Sequence, residues 1–230
     1  MTPRKTVAKK RSAKKKTKKK AGRPTRSLEV ALAEERRART EAERTNLIMA
    51  QLIKDLLSFA RLEAGRVTYD IQPVSVFEVV SSAVEIMAPR MAEAGLTCTT
   101  SVDQSFVAAA DFNKLQQILL NLLSNAIKFT ARGGKVSLDV PVRPALPDDA
   151  IFLRVADTGC GIPRSKQELI FEPFVRAHRP VPRGAISMGL GLAIGRDLAR
   201  GMGGDLRVRS ESGKGSSFTL TLRRYPESDL

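Results

Sequence analysis

Asn121, Asn125 and Lys128 stand four and three residues apart in the stretch Asn121-Leu-Leu-Ser-Asn125-Ala-Ile-Lys128-Phe129. On a helix that spacing puts all three on one face, while Leu119, Leu122, Leu123 and Ile127 cover the others. Two carboxamide oxygens and an ammonium suit a magnesium ion carrying phosphates, because Mg²⁺ takes few protein oxygens and leaves its other positions to phosphate and water. A solvated polar stripe on a surface helix would show the same residues, and this segment alone does not separate the two.

Three further elements follow in order. Asp157-Thr-Gly159-Cys-Gly161-Ile162 closes a strand-like run from Phe152 to Val155. A carboxylate at a strand end accepts a hydrogen bond from an exocyclic amine such as that of adenine, and glycines let backbone approach a flat base. A tight turn explains the same residues. Phe171-Glu-Pro-Phe174-Val-Arg176 leads into a basic, proline-bearing stretch with Arg179, Pro180, Pro182 and Arg183, which reads as a mobile lid. Gly189-Leu190-Gly191-Leu192 then opens a helix, where backbone N–H groups face phosphates. Gly189, Gly191 and Gly195 do not fit G-x-G-x-x-G and no strand precedes them, which disfavours a dinucleotide site. Gly213-Lys-Gly215-Ser-Ser217-Phe218 lies between two final strand-like runs; a hairpin turn accounts for its glycines, and Gly215 stands where a P-loop needs Ser or Thr.

The elements that must hold these residues read as follows. From Ser27 to Ala64 there is no Gly or Pro, and Ala, Leu, Glu and Arg dominate. This predicts one helix, capped by Ser27 and ended at Gly65, roughly 55 Å long at ~1.5 Å per residue. Its second half bears an apolar stripe, Ile48, Leu52, Leu56 and Phe59, while Glu34 to Arg44 is charged nearly all round. Such a stripe calls for a partner helix. The pattern then predicts a strand at 67–71, a helix at 76–94, a strand at 96–102, a helix at 112–129, strands at 135–140 and 151–157, a helix at 190–202, and a hairpin of 205–210 with 217–222. Strands and helices mix without strict βαβ alternation, so the class is α+β.

Charge is segregated. The net charge is +15, yet residues 1–26 contain thirteen Lys or Arg and no Asp or Glu, leaving 26 basic against 24 acidic residues for the rest. The Lys/Ala/Thr-rich part of this tail is too polar to offset its ordering entropy and is expected to be disordered. Its charge would attract nucleic-acid phosphates without sequence preference. Ala21-Gly22-Arg23-Pro24 resembles the core of an AT-hook, with Ala21 where the first Arg belongs. Cys98 and Cys160 are the only cysteines and form no C-x-x-C or ligand pattern, which argues against a disulfide framework or zinc site. No apolar run approaches the ~20 residues needed to cross a bilayer, and no signal-peptide segment follows the basic start, so a cytoplasmic protein without membrane contact is expected.

Taken together, the motifs resemble, in order, the N, G1, F, G2 and G3 boxes of the histidine-kinase catalytic domain, within the superfamily of gyrase, Hsp90, histidine-kinase and MutL ATPases. Leu56-Leu-Ser-Phe-Ala-Arg-Leu-Glu-Ala-Gly65 resembles the end of the second helix of the dimerisation and phosphoacceptor hairpin. The resemblance covers about residues 45–224. It implies a tail over 1–26, a partial dimerisation helix over 27–66 and an ATP-binding domain over 67–226. That domain would be a Bergerat-type sandwich, with helices on one face of a mixed, mostly antiparallel sheet.

The same resemblance implies ATP and Mg²⁺ as cofactors. Asn125 with Asn121 would hold the metal, and Asn121, Asn125 and Lys128 would form the catalytic set. Asp157 would contact adenine beside Phe129, Gly159, Gly161 and Ile162. Phe171, Phe174, Arg176, Gly189, Leu190, Gly191, Leu192 and Ser217 would complete the nucleotide site. ATP-hydrolysing superfamily members have a Glu four residues before the metal-binding Asn; here that position is Asn121, and a carboxamide cannot act as general base. Transfer to a protein group is therefore favoured over hydrolysis.

Two departures matter. The family's phosphoacceptor histidine belongs upstream of Leu56, but the only histidine is His178, in the lid, where a solvent-facing residue is the plain reading. The protein would then phosphorylate a histidine on another chain, a phosphoacceptor protein feeding a response regulator, and associate as a homodimer through 27–66; the alternatives are a non-catalytic nucleotide-binding fragment and a nucleic-acid-associated ATPase. In the lid, Ser187 replaces the first glycine of the family's G-x-G-x-G. Cys160, between two glycines, reads as a small filler.

Overall fold

The computed structural model describes residues 24–141, 149–176 and 188–226. The basic tail through Arg23, and the lid stretch 177–187 with Arg179, Arg183, His178 and Ser187, lie outside the described residues. The described residues fall into two compact units, one ending at Leu47 and the other running from Ile48.

Helix α1 runs over Pro24–Glu63. It starts three residues before the Ser27 cap expected from sequence, because proline fits a first helical turn, where its missing N–H bonds nothing. In the first unit the helix is exposed and highly charged, with an Arg39–Glu43 pair at 3.0 Å one turn apart. Such a pair contributes only a few tenths of a kcal/mol. In the second unit, Phe59 and Leu62 pack against the core, while Met49, Ile53, Leu56 and Leu57 are about half exposed.

The strand expected at 67–71 is absent. The chain there forms no ladder, and the first strand is β1, Gln72–Ser75. Its antiparallel partner is β3, Val107–Ala110, in a register that sets Gln72 against Ala110. Beyond Ala110 the chain turns into a helix, so residues 67–71 have no neighbouring backbone to pair with. Asp70 instead donates its N–H to the Asp111 carboxylate, at 3.2 Å. The strand β3 itself was not expected.

The remaining elements follow the sequence pattern. Helix α2, Val76–Ala94, is capped by Ser75, and α3, Phe112–Phe129, by Asp111, which accepts from Asn113 and Lys114 at 2.9 and 3.1 Å. The other strands are β2 (Thr97–Ser101), β4 (Lys135–Asp139), β5 (Ala150–Asp157), β6 (Asp205–Glu211) and β7 (Gly215–Arg223), and α4 spans Gly191–Gly201. The five form one sheet in the order β2-β4-β5-β7-β6. Only the β2–β4 pair is parallel, so the sheet is mixed and mostly antiparallel.

Alternate strand residues, among them Val136, Leu138, Leu153, Val155, Leu206 and Leu220, are buried with Ile118, Leu119, Leu122, Leu123, Ile194 and Leu198 of the helices. Each such burial contributes ~1.5–3 kcal/mol. One core between a sheet and helices on one of its faces is the α+β sandwich that the sequence predicts.

Candidate functional site

Packing of α3 on the sheet leaves Asn121, Asn125, Lys128 and Phe129 half-buried while Leu119, Leu122, Leu123 and Ile127 are buried. The polar stripe is therefore neither sealed nor fully solvated. Asn121 donates its Nδ2 to the Gly191 carbonyl, at 3.1 Å. That bond ties the middle of α3 to the start of α4 and leaves the amide Oδ1 as an available acceptor. The Lys128 ammonium lies 5.1 Å from the centre of the Phe129 ring. Burial, and then the like charge of Arg176, hold Lys128 below the ordinary lysine range. Two cations that raise each other's cost are relieved by a bound anion.

At the end of β5, Asp157 accepts from the Gly159 N–H at 2.8 Å. Burial raises its carboxyl above the usual range, although N–H groups of Gly159 and Ser216 support the ionised form. A partly desolvated carboxylate is a strong acceptor for a ligand N–H. The following loop is wedged between two elements. A Cβ on Gly159 would lie 2.6 Å from the Phe129 carbonyl, which itself accepts from Cys160 N–H at 3.3 Å. Gly161 has φ +69°, and a Cβ there would overlap the Glu211 carbonyl. The Gly213 N–H closes the other side on the Cys160 carbonyl, at 2.8 Å. Ile162 is buried, its N–H held by Ser210 Oγ at 2.8 Å.

The two roots of the lid meet. Phe174 donates its N–H to the Gly189 carbonyl at 3.2 Å. Gly189 has φ +77°, and a Cβ there would crowd Val175 O at 2.6 Å. Phe174 itself has φ +65°, and its side chain is exposed. Phe171 is buried, and so is Leu190, which can offer a ligand only its backbone. No side chain caps α4, which begins at Gly191, so its first N–H groups are directed outward from a helix N-terminus. Arg176 is exposed, and Ser217 is half-buried on β7 opposite Ala156.

The sequence motifs, separate along the chain, are thus joined by named contacts: Asn121 with Gly191, Phe129 with Cys160, and Cys160 with Gly213. Residues 110–226, just over half of the chain, match the family of histidine kinase-, DNA gyrase B- and HSP90-like ATPases. The chain belongs to this ATPase family.

The chain is 34% identical over 188 residues to the sensor histidine kinase RcsC of Escherichia coli (strain K12), covering 81% of this chain and 19% of that protein. It is 35% identical over 185 residues to the circadian input-output histidine kinase CikA of Synechococcus elongatus, covering 79% and 24%. The structure of full-length ShkA in complex with AMPPNP superposes with a TM-score of 0.69 at 32% identity, over 83% of this chain and 40% of that one. The chain spans about a fifth to a third of the length of the curated relatives it matches. Its ATPase domain is of the kind carried by sensor histidine kinases. No described helix is long and apolar enough to cross a membrane.

Within the ATPase domain, sequence reasoning missed three side chains that shape the site. Ser210 bridges Ile162, the Gly215 carbonyl and Ser216, Thr158 Oγ1 accepts from Lys135 N–H at 2.9 Å, and Arg196 lies over the Phe171 ring, 4.6 Å from its centre. A serine on a strand and an arginine on a helix carry no periodic signal that would have marked them.

Proposed function

We propose that the chain binds ATP with Mg²⁺ and transfers the γ-phosphoryl group to a histidine on another protein chain. The observation that supports this reading is the bonding of Asn121 to Gly191 and of Phe129 to Cys160, in the loop after Asp157, within a domain of this ATPase family. Asp157 accepts the adenine amine. The carboxamide oxygens of Asn125 and Asn121 fit a magnesium ion, and the Asn121 bond to Gly191 keeps its oxygen turned away from that carbonyl. Among the described residues no cluster of His, Cys, Asp or Glu could hold a metal, so the carboxamides and the nucleotide's own oxygens are the suitable donors. Lys128, Arg176 and the first N–H groups of α4 neutralise the phosphates. Bound Mg²⁺–ATP supplies the phosphoryl group; the protein supplies position and charge.

Asn121 favours transfer over hydrolysis, since no carboxylate stands there to activate water. The acceptor is a histidine-bearing protein, with a response regulator as the next carrier. Exposed Met49, Ile53, Leu56 and Leu57 support self-association through α1. The segregated charge of residues 1–26 supports a second, independent activity, salt-sensitive contact with nucleic-acid phosphates.

The test is incubation of the protein with γ-³²P-ATP and Mg²⁺, alone and with a phosphoacceptor hairpin from a related kinase. Acid-labile, base-stable label on the added hairpin, lost in Asn125→Ala, is the expected result. Binding of an ATP analogue with no label on any chain would leave a nucleotide-binding module and defeat the transfer reading.

A further inference from the structure

Arg196 lies five residues into α4, its side chain only 14% exposed, and it reaches in three directions. Its guanidinium meets Glu168 at 2.5 Å and Asp205 at 3.2 Å, and lies 4.6 Å from the centre of the buried Phe171 ring. Glu168 precedes and Phe171 ends the short 3₁₀ turn Leu169–Phe171, which runs directly into Glu172–Arg176, the first root of the lid. The second root is the start of α4 itself. Resting on the nucleotide reading above, we infer that Arg196 is a positioning residue: it clamps the two lid roots together from behind, so that the N-terminus of α4 and Arg176 are held where phosphates bind.

Charge balance at Asp205 does not require it. Arg200 and Arg207 reach the same carboxylate, at 3.4 and 2.9 Å. Of the three arginines, Arg196 alone also contacts the turn before the lid among the described residues. A cation this hidden contributes little that a well-packed apolar side chain would not, whereas a planar fork that stacks on a ring and bridges two carboxylates fixes geometry in a way an ammonium cannot. Elsewhere the roots meet through the Phe174–Gly189 backbone bond, and the second root is tied to α3 by the Asn121–Gly191 bond. Releasing the clamp therefore loosens the phosphate end of the site and leaves the Asp157 end, on a different strand, intact.

The experiment measures displacement of a fluorescent ATP analogue by ATP and by adenosine, in the full chain and in Arg196→Gln, Arg196→Lys and Glu168→Gln, with melting temperatures alongside. Arg196→Gln should weaken ATP by about tenfold through lost preorganisation while adenosine binds as in the unaltered chain. Arg196→Lys should recover only part of the loss. Glu168→Gln removes one exposed partner, so ATP should weaken by roughly threefold, in line with an exposed ion pair, with no change in melting temperature. That variant gives the answer if the Arg196 variants do not fold. Equal losses for ATP and adenosine, or a full rescue by lysine, would overturn the inference and make Arg196 a residue of stability only. Failure of the unaltered chain to bind ATP would instead overturn the nucleotide site, and the inference with it.

Discussion

The rings of Phe59 and Phe174 meet edge-on, their centres 5.8 Å apart and their planes at 74°. One ring comes from the end of α1 and the other from the segment just before residue 177, so the helix that precedes the ATPase domain is in direct contact with a segment of the proposed nucleotide site. Phe174 stands at φ +65°, a conformation that costs an L-residue ~1–2 kcal/mol. Removing the ring by Phe174→Ala keeps that cost and loses the aromatic pair; Phe174→Gly loses the pair but also the cost. The glycine variant should melt higher than the alanine variant by about 2–4 °C, on the scale of ~1 kcal/mol for a domain of this size. Phe59→Ala should lower the melting temperature without changing that difference. Equal melting of the two Phe174 variants would mean that the turn relaxes once the ring is gone.

Asp157 carries a stability cost that ligand binding offsets. Burial raises its pKa in the folded chain, so the folded state binds more protons than the unfolded one between the unfolded carboxyl range and the raised value. The corresponding stability is fully present below the unfolded pKa and is lost as pH rises through the folded pKa. At neutral pH the ionised group is a net cost. Asp157→Asn should therefore melt higher than the unaltered chain at pH 7, and the gap should close in acid, while ATP-analogue binding weakens by about tenfold or more from the lost charge-assisted bond. A lower melting temperature at pH 7 would show that the Gly159 and Ser216 N–H bonds outweigh the burial.

The proposed preference for transfer over hydrolysis rests on Asn121. Asn121→Glu puts a carboxylate where hydrolytic relatives of the superfamily have one and removes the donor to the Gly191 carbonyl. Release of inorganic phosphate should rise by roughly tenfold, short of the ~10²–10⁴ of a well-placed base because the start of α4 is loosened at the same time. Label on an added phosphoacceptor hairpin should fall. A coupled-enzyme phosphate assay reads both the gain and its dependence on Asn125; no gain would mean that water does not reach this side chain.

The fold class and the helix that carries the polar stripe were legible in the sequence, and the parts that were not share a cause. Asn121, Asn125 and Lys128 declare themselves by helical spacing, because that signal is local; the caps Ser75 and Asp111 were not singled out in the sequence. The alternation of Val67 and Tyr69 is equally real, and both side chains pack against the core. It shows which side faces inward but not whether a neighbouring backbone exists, which is why a strand was expected where none forms. Val107–Ala110 gave the opposite error: four small apolar residues offer no contrast, and only Gln72–Ser75 across from them makes a strand. Arg196 reads as a solvated helix residue because its partners, Asp205 and Glu168, lie 9 and 28 residues away.

Gly161 and Gly213 lie on either side of the same junction and differ in what surrounds them. Both have positive φ, +69° and +82°, so an alanine at either position incurs the left-handed cost of ~1–2 kcal/mol. Around Gly213 an added Cβ meets nothing within 4 Å, whereas at Gly161 it would overlap the Glu211 carbonyl and force the β6–β7 turn away from the loop after Asp157. Gly213→Ala should therefore show a modest drop in melting temperature with nucleotide binding unchanged. Gly161→Ala should melt lower still, by a further ~1–3 kcal/mol equivalent for overpacking, and should weaken adenosine as well as ATP because the displaced loop is the one that orients Asp157. If Gly161→Ala lost stability but bound adenosine normally, the loop would be scaffolding for the turn alone, and the Asp157 carboxylate would be held by β5 without it.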